Sequence, residues 1–394
     1  MTEQTKKEKN MLGLTGAEAA AHAMKQINPE VVACYPITPQ TEIMHTFSKY
    51  VADGDVDTEF VRVESEHSAM SATVGAAAAG IRAMTATSSQ GLALMHEIVY
   101  ITSGLRLPIV MPVVNRALSA PINIHCDHTD TMAERDSGWL QFYCESAEEV
   151  YHMIFIALKL AENEKVLLPA MVCQDGFITS HGVENLREIE TKKIKSFIGT
   201  YNPKHSLLDI EHPISSGSIF FYDYFFEARR QQIDAIEQAK LLYPKVAKEF
   251  EKISGVYYDF VEEYNLKDAE YVIVAMSSTC GTVKDVVDFL RKQGKKVGLL
   301  KIRVFRPFPN EEIVKLLKDK KKVAILDRAI APGSYAPLFS EIRSVFYESD
   351  KKPEIYSYMF GLGGRDVTLD NIESVFSDLM NNKKEKINYL GLRE

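Results

Sequence analysis

Short runs of apolar, often β-branched residues alternate along this chain with longer stretches of helical periodicity. They do so in two series separated by a polar stretch. The first series has candidate strands at 31–37, 60–64, 82–87, 108–114, 139–143 and 166–173. Most are apolar on both faces, as strands buried between two helical layers are. Helical patterns at 66–79, 92–103 and 147–162 fall between them, with Gly80 and Gly104 where helices should stop. Such alternation predicts a parallel sheet covered by helices. The second series has strands at 271–276, 296–302, 322–327 and 354–359, with helices at 283–293, 311–318, 335–348 and 370–380. Between the two, 192–217 is polar, carries Pro203 and Pro213, and reads as a connector. Residues 225–265 read as a Lys- and Glu-rich helical arm broken at Pro244. The expected fold class is α/β, with a first domain over 1–191, a connector and arm over 192–266, and a second domain over 267–394.

Charge and cysteine usage exclude several classes. Lys+Arg 46 against Asp+Glu 54 leaves a net charge of −8, a poor balance for a nucleic-acid binder, which needs clustered positive charge. No apolar run approaches the roughly 18–20 residues of a membrane span. The opening MTEQTKKEKN has no apolar core and does not read as a signal peptide. Cys34, Cys126, Cys144, Cys173 and Cys280 are odd in number, far apart, and form no C-x-x-C pair. That argues against a zinc finger, a thioredoxin motif, or an iron–sulfur cluster held by this chain alone, and for reduced, buried thiols in a cytoplasmic protein.

The polar residues fall just after the strands of the first series, where open parallel sheets bind ligands. Thr38 and Gln40 follow the first strand, Glu66 and His67 the second. Ser88, Ser89, Gln90 and Gly91 follow the third, Asn115 and Arg116 the fourth, and Gln174 and Asp175 the last. Each has a structural alternative. Thr38, Ser88 and Ser89 could cap helices, Glu66 could be a first-turn acid favoured by the helix dipole, and Arg116 could be a surface charge. The loop 119–130 carries His125, Asp127, His128 and Asp130, but their spacing fits no standard zinc pattern. It reads as a polar loop at a site rim, and no metal ligand is assigned. No G-x-G-x-x-G or P-loop motif is present, and Thr87 stands where a nucleophile elbow needs glycine.

Four ordered blocks carry a family likeness: Tyr35-Pro-Ile-Thr-Pro-Gln-Thr41, Val63-Glu-Ser-Glu-His-Ser-Ala69, Thr85-Ala-Thr-Ser-Ser-Gln-Gly-Leu-Ala-Leu-Met95 and Asn115-Arg-Ala-Leu-Ser-Ala-Pro-Ile-Asn123. The second half adds Lys301-Ile-Arg-Val-Phe-Arg-Pro-Phe-Pro309 and Gly361-Leu-Gly-Gly-Arg-Asp-Val-Thr368. Together they resemble the alpha subunit of the 2-oxoacid:ferredoxin oxidoreductases, most closely the pyruvate:ferredoxin oxidoreductase (pyruvate synthase) branch. The resemblance implies a pyrimidine-binding thiamine diphosphate fold followed by a transketolase-C-terminal-like domain.

It also implies a chemistry. Glu66 matches the carboxylate that hydrogen-bonds the aminopyrimidine ring of thiamine diphosphate, favouring the tautomer that removes the thiazolium proton. Thr38 and Arg116 match the pair beside the substrate carboxylate, a role suited to the planar guanidinium fork. Pro36, Ile37, Ser89 and Gln90 correspond to cofactor-contacting positions. No Gly-Asp-Gly segment for a Mg²⁺-bound diphosphate occurs here. The resemblance therefore implies that a beta subunit completes the site and holds Mg²⁺, that iron–sulfur clusters sit on partner chains, and that gamma and delta subunits join the complex. The implied reaction converts pyruvate and CoA to acetyl-CoA and CO₂ with reduction of ferredoxin, reversibly. A branched-chain or aryl 2-oxoacid as substrate, a non-redox thiamine diphosphate transferase, and a scaffold subunit without cofactor are the alternatives.

Overall fold

The computed structural model describes residues 10–381 and 384–393. The segment 1–9, most of the opening read above as no signal peptide, lies outside the described residues. In chain order the first half contains β1 (Met11–Thr15), α1 (Gly16–Ile27), β2 (Val31–Cys34), α2 (Thr41–Ala52), β3 (Glu59–Arg62), α3 (Glu66–Ala78), β4 (Ala83–Met84), α4 (Ser89–Gly104), β5 (Val110–Asn115), α5 (Thr129–Ala133), β6 (Leu140–Cys144), α6 (Ala147–Ala161), β7 (Ala170–Asp175) and β8 (Val183–Arg187). Then come α7 (Thr191–Ile198), α8 (Phe225–Ser254), β9 (Val261–Tyr264), β10 (Tyr271–Ala275), α9 (Thr279–Lys292), β11 (Val297–Ile302), β12 (Val304–Arg306), α10 (Asn310–Leu317), β13 (Lys322–Asp327), α11 (Pro337–Val345), β14 (Glu354–Phe360), α12 (Leu369–Met380) and β15 (Ile387–Leu390).

Two sheets organise these elements. The first has seven strands in the order β12-β6-β7-β5-β4-β2-β3, and the second six, in the order β15-β14-β13-β10-β11-β9. The first is parallel except for β12, which pairs antiparallel with β6. The second is parallel except for β9, antiparallel to β11. Every residue of β5, β6 and β7 is buried, as the doubly apolar runs require. Helix α6 is buried almost all round, because it packs against α1, β7 and α8 together. The α/β class and the parallel sheets predicted from the alternation are what the chain adopts.

Four local features depart from the sequence reading. First, the arm is not broken at Pro244: α8 runs through it and ends at Ser254, and Gly255 follows at φ +78°. An interior proline costs one backbone hydrogen bond and about 3 kcal/mol. Burial of Ala239, Tyr243, Val246, Ala247 and Phe250 offsets that loss. Tyr243 stacks on Phe142 (ring centroids 5.9 Å apart) and Phe250 on Phe155 (6.4 Å). Second, residues 261–264 are not helical but form the edge strand β9.

Third, β4 is only two residues long, where six were expected. The cause is Pro112 in the neighbouring β5. Its carbonyl accepts the Thr87 N–H at 3.3 Å, so that edge of Pro112 faces β4, yet proline has no N–H to return. Pairing resumes as a single bridge from Thr87 to Val113. Fourth, the periodicity missed α1, α5, α7 in the connector, the antiparallel pair β1–β8, and the edge strands β12 and β15. The β8 side chains alternate with neighbouring charge, Val183-Glu-Asn-Leu-Arg187, and leave only Leu186 buried, which is too little apolar signal for a strand.

Candidate active site

The parallel pairing brings the ends of β3, β2, β4, β5 and β7 to one edge of the first sheet, in that spatial order. The residues predicted to converge there do so. Glu66 opens α3, whose N-cap Ser65 accepts the Ser68 N–H through its side chain. The Glu66 side chain is buried and has no hydrogen-bond or ion-pair partner among the described residues. It lies against Gly91 in the first turn of α4. A Cβ built on Gly91 would stand 2.8 Å from Glu66 Cγ and 2.5 Å from Thr87 Oγ1. The absence of a side chain at Gly91 is what lets the two helix heads close over this carboxyl.

Arg116 follows β5. Its Nη1 donates to the Thr38 carbonyl at 2.8 Å and its Nε to the Asn123 carbonyl at 2.9 Å. Arg116 is buried, 7 % exposed, and makes no ion pair among the described residues. A buried guanidinium satisfied only by carbonyls retains donor capacity and an unmatched charge, the condition for receiving a carboxylate. Thr38 is exposed beside it, as is Pro36; Ile37 is half-buried and donates its N–H to Gln40 Oε1 at 3.3 Å.

Ser89 and Gln90 begin α4. Ser89 has a left-handed backbone, φ +45°, which is costly for a non-glycine residue. Two contacts hold it: its N–H donates to Asp130 Oδ2 at 3.0 Å and its Oγ to the Ala117 carbonyl. Gln90 Oε1 accepts the Ser119 N–H at 3.2 Å and lies 2.8 Å from Ser89 Oγ. Ser88 is no side-chain cap; its Oγ donates to the Val114 carbonyl.

Asp130 ties these pieces together. It accepts from Asn115 Nδ2 (2.8 Å), the Arg116 N–H (3.0 Å), the Ser89 N–H (3.0 Å) and the Thr131 N–H (2.7 Å). Complete burial pushes its carboxyl up to about 6, against the pull of those donors. The sequence reading had Asp130 only as one polar residue of a rim loop, since no local pattern marks a carboxylate whose partners lie on two other strand ends.

The four acids and imidazoles of that loop do not gather into one site. His125 is exposed, Asp127 accepts the Thr129 N–H at 3.0 Å, and His128 Nε2 bonds Asp175 at 2.7 Å. Cys126, His128 and Asp175 do lie together, with ligand atoms within 4.8 Å of one another. The charge of Asp175 is already matched, however, by Arg328 Nη1 at 3.0 Å, and Ser278 donates to it through both N–H and Oγ. Burial alone would push the Asp175 carboxyl up; Arg328 and His128 outweigh burial and hold it well below the usual carboxylate range. Asp175 therefore fastens the second sheet to the first beside the strand-end edge.

The family profile described as "Pyruvate flavodoxin/ferredoxin oxidoreductase, thiamine diP-bdg" matches residues 22–248, and "Pyruvate:ferredoxin oxidoreductase core domain II" matches 269–372. The chain is 56 % identical over 385 residues to pyruvate synthase subunit PorA of Thermotoga maritima, covering 97 % of this chain and 98 % of that one. It is 48 % identical to the PorA of Methanocaldococcus jannaschii over 97 % and 98 % of the two chains. The ketoisovalerate oxidoreductase subunit VorA of Pyrococcus abyssi is 42 % identical over 93 % and 92 %. Among solved structures, the 2-oxoglutarate:ferredoxin oxidoreductase of Magnetococcus marinus superposes with a TM-score of 0.72 at 21 % identity. The match covers 94 % of this chain and 65 % of that longer one. An inactive tetramer of a split-gene transketolase gives 0.56 at 11 % identity, covering 95 % and 100 %, so the fold is shared with transketolase as well. The chain thus belongs to the pyruvate flavodoxin/ferredoxin oxidoreductase family, as an alpha-type subunit of a 2-oxoacid:ferredoxin oxidoreductase.

Proposed function

We propose that this subunit supplies the pyrimidine-side half of a thiamine diphosphate site in a complex that converts pyruvate and CoA to acetyl-CoA and CO₂, passing two electrons to ferredoxin, reversibly. The observation that carries the reading is the Glu66 carboxyl: buried, without a partner among the described residues, and pressed into the notch left by Gly91. Three more polar atoms on the same sheet edge are buried and unpartnered, Gln40 Nε2, Thr87 Oγ1 and Asn115 Oδ1. Such orphans cost free energy, and the carboxyl of Glu66, which has no partner among the described residues, fits a ring nitrogen that shares a proton with it. Thiamine diphosphate, when bound, supplies the nucleophilic carbon and the electron sink for decarboxylation.

The chain's own residues have distinct tasks in this reading. Glu66 holds a proton against the pyrimidine ring. Arg116 and the Thr38 side chain receive the substrate carboxylate. Ser89, fixed by Asp130 and Ala117, and Gln90, fixed by Ser119, shape the wall toward the cofactor, together with Pro36 and Ile37. Residues 1–191 form the pyrimidine-binding part, 192–266 the connector and arm, and 267–394 the transketolase-C-terminal-like part, although β9 of the arm segment joins the second sheet and β12 of the last segment joins the first.

The remaining parts belong to other subunits. The chain lacks a Gly-Asp-Gly segment, which supports Mg²⁺ and the diphosphate being held by a beta subunit. Its cysteines are single and buried, which supports iron–sulfur clusters carried by partner chains, with gamma and delta subunits completing the complex. A run of exposed apolar side chains over 219–226, including Ile219 at 79 % and Tyr222 at 94 % exposure, supports burial of this surface in an assembly. Reduced, unpaired thiols support a cytoplasmic location, and no described helix is long and apolar enough to cross a membrane.

The likeness to a ketoisovalerate oxidoreductase subunit favours a branched-chain 2-oxoacid as the second reading. The test is reduction of ferredoxin or viologen by the complete complex, with CoA, across pyruvate, branched-chain and aryl 2-oxoacids. Highest kcat/KM on pyruvate supports the proposal; highest kcat/KM on a branched-chain acid replaces it with the second reading. No cofactor-dependent reduction with any 2-oxoacid removes both.

A further inference from the structure

The glycine-rich turn 361–364 of the second sheet reaches the rim of the candidate active site. It consists of Gly361 and the 3₁₀ turn Leu362–Gly364, with positive φ at all three glycines. It clasps the loop that follows Arg116. Asn123 Nδ2 donates to the Gly363 carbonyl at 3.1 Å, the Gly364 N–H donates to the Cys126 carbonyl at 2.7 Å, and the Gly363 N–H reaches Asp127 Oδ2 at 3.4 Å. The approach leaves no room for side chains. A Cβ on Gly363 would lie 2.4 Å from Asn123 Nδ2, and one on Gly364 2.3 Å from His125 Cβ.

Asn123 is the hinge of this contact. Its carbonyl accepts Arg116 Nε at 2.9 Å, its Oδ1 accepts the His125 N–H at 2.7 Å, and its Nδ2 is the donor to Gly363. The His125 carbonyl in turn accepts the Ala117 N–H at 3.0 Å, one residue past Arg116. One half-buried residue, through its side chain to Gly363 and its carbonyl to Arg116, therefore links the glycine turn of the second sheet to the guanidinium expected to bind substrate.

We propose that Asn123, seated on Gly363, is a positioning residue for 2-oxoacid capture, so that the second sheet sets the aim of Arg116. The inference rests on the reading of Arg116 as the partner of the substrate carboxylate. Displacing a charged hydrogen-bonding group by a fraction of an ångström weakens what it binds, while chemistry on bound substrate continues at a similar rate.

The test uses the complete complex. Asn123→Ala removes the side chain but keeps the carbonyl that Arg116 needs. It is expected to raise KM for pyruvate about tenfold with kcat within about twofold of wild type, and Gly364→Ala to do the same. If Gly364→Ala does not assemble, Asn123→Ala decides alone. The double variant Arg116→Ala/Asn123→Ala is expected to show the KM of Arg116→Ala alone, because the aim of an absent guanidinium has no effect. An unchanged KM in Asn123→Ala, or additive effects in the double variant, overturns the inference and leaves the substrate reading in place. An unchanged KM in Arg116→Ala removes both.

Discussion

Gly91 and Glu66 come from different helices yet occupy one volume: a Cβ on the first would lie 2.8 Å from Cγ of the second. Gly91→Ala therefore has to push either the α4 head or the Glu66 side chain aside. Overpacking at such a site costs typically 1–3 kcal/mol. The expected result is a lower melting temperature for the subunit and thiamine diphosphate binding at least about tenfold weaker. Calorimetric titration of the apo complex measures the second effect, and wild-type affinity would refute it.

Glu66→Gln tests the carboxyl itself. The amide is isosteric, so the cofactor is expected to bind, while exchange of its C2 proton, followed by hydrogen–deuterium exchange of the bound cofactor, slows by roughly two orders of magnitude or more. Exchange at the wild-type rate takes Glu66 out of its assigned role.

Arg116→Ala removes a charge-assisted contact worth roughly 1.5–3 kcal/mol. KM for pyruvate is expected to rise by roughly one to two orders of magnitude, with cofactor occupancy near wild type. Steady-state kinetics over a wide pyruvate range, alongside cofactor quantification, separates the two effects. A loss of cofactor with an unaltered KM would reassign the residue.

Arg328→Met leaves the Asp175 carboxylate buried with His128 and Ser278 but without its guanidinium. Breaking one side of a buried ion pair costs about 3–5 kcal/mol. Chemical denaturation of the subunit should show that loss. Asp175→Asn/Arg328→Met should recover a large part of it, because no uncompensated charge remains. A double variant no more stable than the single one contradicts this account.

Asp327 gives a pH dependence of defined sign. It ends β13 and accepts the N–H groups of Leu338 and Phe339 at 2.8 and 3.0 Å, at the start of α11. Burial pushes its carboxyl up to about 7, against those two donors. Between the unfolded value near 4 and about 7, the folded protein keeps a proton that the unfolded chain has released. This group's contribution to stability is therefore fully present below about 4, falls by up to about 1.4 kcal/mol per pH unit as pH rises to 7, and is level above that. The difference in unfolding free energy between wild type and Asp327→Asn should follow that curve, and a difference constant from pH 4 to 8 would contradict it.

Much of this was readable in the residues. Strand β13 has the bounds that its apolar run Lys322-Val-Ala-Ile-Leu-Asp327 predicts, and the convergence of Thr38, Glu66, Ser89, Gln90 and Arg116 follows once the runs are taken as parallel. What stayed hidden was whatever depends on a partner far along the chain. Pro244 breaks an isolated helix but not one whose buried face is held by Phe142 and Phe155. Pro112 shortened a strand that is not its own. Asp130 and Asn123 sit in a loop without periodicity, and their roles come from groups reached only after the chain has folded back from Ser89, Arg116 and Gly363.

The placement of β12 has a consequence for how the subunit behaves mechanically. Residues 304–306 leave the second sheet immediately after β11 and join the outer edge of the first beside β6. The two halves are thus stitched by backbone hydrogen bonds and do not hang from the tether at 199–224. A protease nick in that tether would leave both fragments bound to each other, and the subunit would move within its complex as one piece.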